Sequence, residues 1–150
     1  MRLNVDASES APRAPWHLWL VGTVGLLWNS IGVFDHLMTQ VKNESYMGRF
    51  TPEQLENLYN FPIWLVAFWT VAVWGGMLGS GLVLLRRKLA VSVLLASLLA
   101  MAVTGVHNFA SADGLYASAG TTPGFVLVIF AVAFGLWFYS RAMSERRVLT

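Results

Sequence analysis

The chain has 150 residues, of which 56% are hydrophobic and 12% charged, and a formal net charge of +2 at pH 7. A charged fraction so far below the ~25% of soluble domains places it among membrane proteins, and its length allows one domain. So small a net charge argues for neither nucleic acid nor an acidic substrate, and the lack of cysteine excludes disulfides, thiolate metal sites and a cysteine nucleophile.

Met1 to Pro15 is polar, carries Arg2, Asp6, Glu9 and Arg13, and reads as a disordered cytoplasmic tail with no apolar stretch to bury. The apolar run that follows is too long for a secretory signal core and continues into Asp35, His36 and Gln40. The pattern predicts an uncleaved transmembrane helix over 16–39. Gly22, Gly25, Asn29, Gly32 and His36 recur at alternate steps of three and four, which places them on one stripe. Small residues on a stripe let another backbone approach, as membrane helices require when lipid removes the hydrophobic drive to pack. Gly22, Gly25 and Gly32 are therefore expected at helix contacts, with Asn29 hydrogen-bonding across one.

The loop from Val41 to Phe61 holds its own short helix. Thr51 suits an N-cap, Pro52 the first helical position and Gln54 the capping-box partner, with Phe50 and Leu55 spaced as a hydrophobic staple. Leu55, Leu58 and Tyr59 then share an apolar face, so this helix is expected to lie on the membrane surface or to cover the bundle. Asn43-Glu44-Ser45 matches the N-glycosylation triplet.

Helix two is predicted over 62–85. Its run Gly75-Gly76-Met77-Leu78-Gly79-Ser80-Gly81 marks Gly75 and Gly79, and the pair Gly76 and Ser80, as close-packing positions. Arg86-Arg87-Lys88 makes a turn so short that helix three, over 89–108, must run antiparallel beside helix two. Ser97, Ala100, Thr104 and His107 form its small or polar stripe. After a loose Ala-, Ser- and Gly-rich segment, Thr122 and Pro123 cap helix four, over 123–140, and 143–150 reads as a second cytoplasmic tail. The fold class is all-α: a four-helix transmembrane bundle with a short amphipathic surface helix between helices one and two.

Arg2, Arg13, Arg86, Arg87, Lys88, Arg141, Arg146 and Arg147 fall on one side of this topology, and Lys42 and Arg49 on the other. The positive-inside rule then puts both termini in the cytoplasm. Gly32-Val33-Phe34-Asp35 is echoed by Gly105-Val106-His107-Asn108 at the ends of helices one and three.

Leu27-Trp28-Asn29-Ser30-Ile31-Gly32, Pro62-Ile63-Trp64, Val73-Trp74-Gly75-Gly76-Met77-Leu78-Gly79 and Leu84-Leu85-Arg86-Arg87-Lys88-Leu89-Ala90 form a set of motifs across helices one to three. Together they resemble a group of short four-span bacterial inner-membrane proteins of uncharacterised function. The resemblance implies a multi-pass protein of the bacterial inner membrane, and some members carry the label "sugar transporter". It carries over no catalytic or binding residue.

Chemistry, where the sequence offers any, gathers near the outer ends of helices one and three. Counted from their helix starts, His36 and His107 reach similar depths, with Asp35 and Asn108 beside them. Histidine titrates near neutrality, so the cluster suits a proton-coupled or solute site, to which Asn29 would add a deeper polar group. Two histidines and one aspartate are a minimal set for a divalent metal, and a bis-histidine haem is a further arrangement. The favoured reading is that these groups sit at helix ends, where water and headgroups satisfy them. Neither metal nor cofactor is expected. HExxH, P-loop and GxSxG motifs are absent, so the chain is not expected to be an enzyme. Trp28, Trp69 and Trp74 are expected to pack in the bundle rather than form a sugar-stacking surface.

Two functions follow from this reading. One is a non-enzymatic accessory or scaffold subunit that meets a larger membrane-protein partner through its glycine stripes. The other is a small-solute transporter working as a homo-oligomer, with Asn29, Asp35, His36, His107 and Asn108 at its site. In both, the lipid bilayer is the surrounding partner.

Overall fold

The computed structural model describes residues 13–110 and 123–150. The tail over 1–12, the loose segment and the Thr122 cap lie outside the described residues. Among those described, the elements are α1 (Trp16–Gln40), α2 (Glu44–Met47), α3 (Pro52–Tyr59), α4 (Ile63–Leu84), α5 (Leu89–Ala110) and α6 (Pro123–Glu145). Four of them, α1, α4, α5 and α6, are long and apolar enough to cross a membrane. The shortest, at 22 residues, is about 33 Å long at ~1.5 Å per residue, which clears the ~30 Å hydrocarbon core. Leu27, Ile63, Leu78, Leu99 and Leu127 are all exposed and lie outside the bundle's interior. A surface this apolar suits lipid and not water.

With lipid outside, size rather than hydrophobicity decides which residues turn inward. A Cβ on Gly22 would stand 2.5 Å from Leu84 Cδ2, and one on Gly25 2.7 Å from Leu136 Cδ2. On α4, Gly75 abuts Ser97 and Gly79 abuts Leu94, both of α5, while Gly76 faces Asn29 of α1. Helix α4 thus runs between α1 and α5 with a glycine face toward each, and α6 packs mainly against α5, with lesser contacts to α1 and α4. Gly32 differs from the other stripe positions: a Cβ there would meet only Val73 Cγ1, at 3.8 Å. Ser97 Oγ donates across the interface to the carbonyl of Ala72.

The up-and-down topology brings Arg13, the α4–α5 turn and the last residues of the chain to one end, called here the terminal end. There the bundle is sealed by Leu18, Val83, Leu94, Leu136, Met143 and Leu149. His17 Nδ1 and the Tyr139 hydroxyl also join α1 to α6 by a hydrogen bond. The segment read as a tail over 143–150 is docked: α6 continues to Glu145, and Val148 and Leu149 are buried. Thr150 N donates to the Arg86 carbonyl at 2.7 Å, Lys88 N to the Thr150 carbonyl at 3.0 Å, and Arg86 Nε to the Val148 carbonyl at 3.0 Å. The short α4–α5 turn leaves backbone groups that need partners, and these residues supply them.

At the opposite end, α3 begins with the capping box: Thr51 Oγ1 accepts from Gln54 N, and Gln54 Oε1 accepts from Thr51 N. Asn43, first residue of the glycosylation triplet, is the N-cap of α2, its side-chain oxygen accepting from Tyr46 N at 3.0 Å.

Candidate functional site

The half of the bundle away from the terminal end is open. A cavity of about 1110 Å³ lies there between α1, α4, α5 and α6. The α2–α3 segment covers its end through Tyr46, Phe50 and Leu58. The cavity arises from packing order. Helix α4 is held tightly by α1 and α5 through glycines, and α6 follows α5, so the ring of four closes poorly between its first and last members. In the open half, Trp28 of α1 and Phe125 of α6 meet with ring centroids 6.1 Å apart.

The lining divides by chemistry. Trp28, Leu65, Trp69, Met101, Ile129 and Phe130 make an apolar body. Trp28 and Trp69 therefore face the cavity, where the sequence reading expected packing alone. Polar groups collect where α1, α2 and α5 end: Asp35, Tyr46, Arg49, Gln54 and Asn108. Deeper in the wall, Asn29 Nδ2 donates to the Gly25 carbonyl at 2.8 Å and to Ser80 Oγ at 3.3 Å, while Ser80 Oγ donates to the Gly76 carbonyl at 2.9 Å. Asn29 does cross from α1 to α4, and it also borders the cavity.

At the rim, the Tyr46 hydroxyl donates to Asp35 Oδ1. The Arg49 guanidinium carbon lies 3.8 Å from the centroid of the Tyr46 ring, and Arg49 Nε donates to the Tyr46 carbonyl at 3.3 Å. Phe34 and Phe50 pack against the same ring at 5.8 and 6.1 Å. Burial pushes the Tyr46 phenol above its ordinary value, and the hydrogen bond to Asp35 pushes it the same way. It remains a neutral donor at physiological pH.

The two histidines are not brought together. His36 stacks edge-on against Trp69 at 4.7 Å, and His107 against Trp64 at 5.0 Å. Those tryptophans are five residues apart on α4, hence about 140° around it, so the histidines sit on different sides of that helix. The cavity lining includes neither. His36 is 5% exposed, and its Nε2 lies 3.0 Å from Thr70 Oγ1. Since the Thr70 hydroxyl already donates to the Val66 carbonyl at 2.8 Å, Nε2 carries the hydrogen that joins it to Thr70. Among the described residues, no three of His, Cys, Asp and Glu converge as metal ligands.

Asp35, Asn108 and Asn29 thus share the cavity, while His36 and His107 stand outside it. Asp35 and Asn108 are the last residues of the two echoed tetrads, and they reach the same rim. Tyr46 and Arg49 escaped the sequence reading. The signal for them lay in Asn43, whose better role as an N-cap starts a turn that folds Tyr46 back onto α1.

No protein-family model, curated protein or solved structure matches the chain.

Proposed function

We propose that this protein is a non-enzymatic transporter of the bacterial inner membrane that binds a small amphipathic solute in the cavity between α1 and α6. The observation that carries this reading is the lining, an apolar body with its two charged residues, Asp35 and Arg49, at one rim, the usual composition of a ligand pocket. Further support comes from the sealed core at the terminal end, since a carrier must keep one side of its site closed while the other is open. In this reading the basic terminal end faces the cytoplasm, the rim faces outward, and the working unit is a homo-oligomer of the four-span kind that the motifs resemble. The alternative is an accessory subunit of a larger membrane assembly; Gly22, Gly25, Gly75 and Gly79 make contacts within the chain, and Gly32 is the stripe glycine with room beside it.

Native mass spectrometry of the protein, extracted gently from its own membranes, tests the proposal. The expected result is a small-molecule adduct on wild type that disappears in Ala133→Trp, a variant that fills the cavity from α6. Identical adduct-free spectra for both proteins, or a stoichiometric larger protein in their place, would overturn it.

A further inference from the structure

We propose that the solute is a zwitterionic amphiphile, with an ammonium and an anionic oxygen group close together on an apolar body, held by Asp35 and Arg49 acting as a pair. This rests on the binding role above and names the chemistry of its ligand. Asp35 and Arg49 line the same rim and carry opposite charges, and Tyr46 stands between them. The phenol takes one carboxylate oxygen with its hydroxyl and offers its ring face to the guanidinium. One side chain is thereby in contact with both charged groups, and both of their residues line the cavity. Tyr46 cannot collapse out of the way, because Phe34 and Phe50 pack on its ring and its backbone N–H is tied to the Asn43 side chain.

Charge bookkeeping at the rim selects the ligand. A zwitterion places its ammonium on Asp35 and its anionic oxygens on the Arg49 fork, so every desolvated charge gains a counter-charge. A purely anionic head meets Arg49 but stands beside the Asp35 carboxylate, and a purely cationic head has the converse fault. An uncharged ligand strips water from both protein charges and returns nothing. The volume of about 1110 Å³ lies just above the usual ~300–1,000 Å³ for ligand pockets, so the site has room for an apolar body behind the head. Two sources share this chemistry: a zwitterionic phospholipid of the bilayer, and a soluble apolar amino acid.

The test is native mass spectrometry of the full chain with equimolar dioleoyl phosphatidylethanolamine and dioleoyl phosphatidylglycerol. Wild type is expected to retain the ethanolamine lipid about tenfold over the glycerol lipid, a difference of about 1.4 kcal/mol. Asp35→Asn and Arg49→Gln should each abolish that preference, with helical circular dichroism confirming that both variants fold. In a second arm, leucine, acetate and butylamine are added at millimolar concentration to the lipid-loaded protein. Displacement by leucine alone assigns the zwitterion to a soluble source, and no displacement assigns it to the bilayer. Equal retention of both lipids by wild type, or a preference that survives both substitutions, overturns the zwitterion proposal. If that retention is also lost in Ala133→Trp, the cavity still binds and only the head chemistry is wrong. No adduct of any kind sinks both.

Discussion

Tyr46 carries the most chemistry of any single side chain at the rim. Its phenol is raised above 10.0 first by burial and then by the hydrogen bond to Asp35. The sign of the pH effect follows from linkage. In the unfolded chain the phenol loses its proton near 10.0, whereas the fold retains it, so its contribution is full below pH 10 and is lost as pH rises through the folded value. Subtracting the alkaline absorbance titration of Tyr46→Phe from that of wild type should therefore leave one tyrosine that ionises above pH 10. At pH 7 the same substitution should destabilise by about 1 kcal/mol, below the range for fully buried charged bonds because solvent screens the pair. A normal titration with an unchanged Tm would contradict the bond. At this scale the sequence was half legible. Asp35 and Asn108 could be placed at one depth by counting residues, but depth says nothing about azimuth. That is why His36 and His107, at similar depth, end on different sides of α4.

Among the elements, α4 decides the packing, and its glycines are not equivalent. Gly76→Ala drives a Cβ into the Asn29 side chain, which is already fastened to Gly25 and Ser80 and has nowhere to retreat. Gly135 on α6 has open space around its added Cβ. In thermal unfolding, Gly76→Ala should cost roughly 1–3 kcal/mol by overpacking. Gly135→Ala should be neutral or stabilising by up to about 1 kcal/mol from helix propensity. The small-residue stripes were legible because only small side chains permit such close approach in lipid. Helix ends were harder to read. Lys42, Arg86 and Arg147 adopt φ of 49°, 56° and 55°, left-handed positions where a helix ordinarily stops on glycine. Each closes the turn with a bond from the next residue, as in Asn43 N to the Met38 carbonyl at 3.1 Å and Val148 N to the Met143 carbonyl at 2.9 Å. Without glycine as a marker, the end of α6 at Glu145 could not be found from the string.

For the whole molecule, one half is sealed and the other hollow. The seal includes the last residues of the chain, where Leu149 is 0% exposed among Leu18, Val83 and Met143. Leu149→Ala should cost about 2–5 kcal/mol, as for other buried leucines. It should also expose the α4–α5 turn, read as faster proteolysis there by a site-specific protease; an unchanged Tm would mean that the docked segment adds nothing to the seal. The apolar spans, their number, their antiparallel order and the gathering of arginines at one end were all determined by the sequence itself. The spans and the charge pattern depend only on local composition, and the short turn between α4 and α5 allows those two helices no other route. Only the tertiary structure decided which residues share the cavity, that Tyr46 stands between Asp35 and Arg49, and that the final residues seal the bundle. The reason is azimuth: in lipid no hydrophobic gradient tells one side of an apolar helix from another, so rotation is set by which small residue meets which bulky one across each interface.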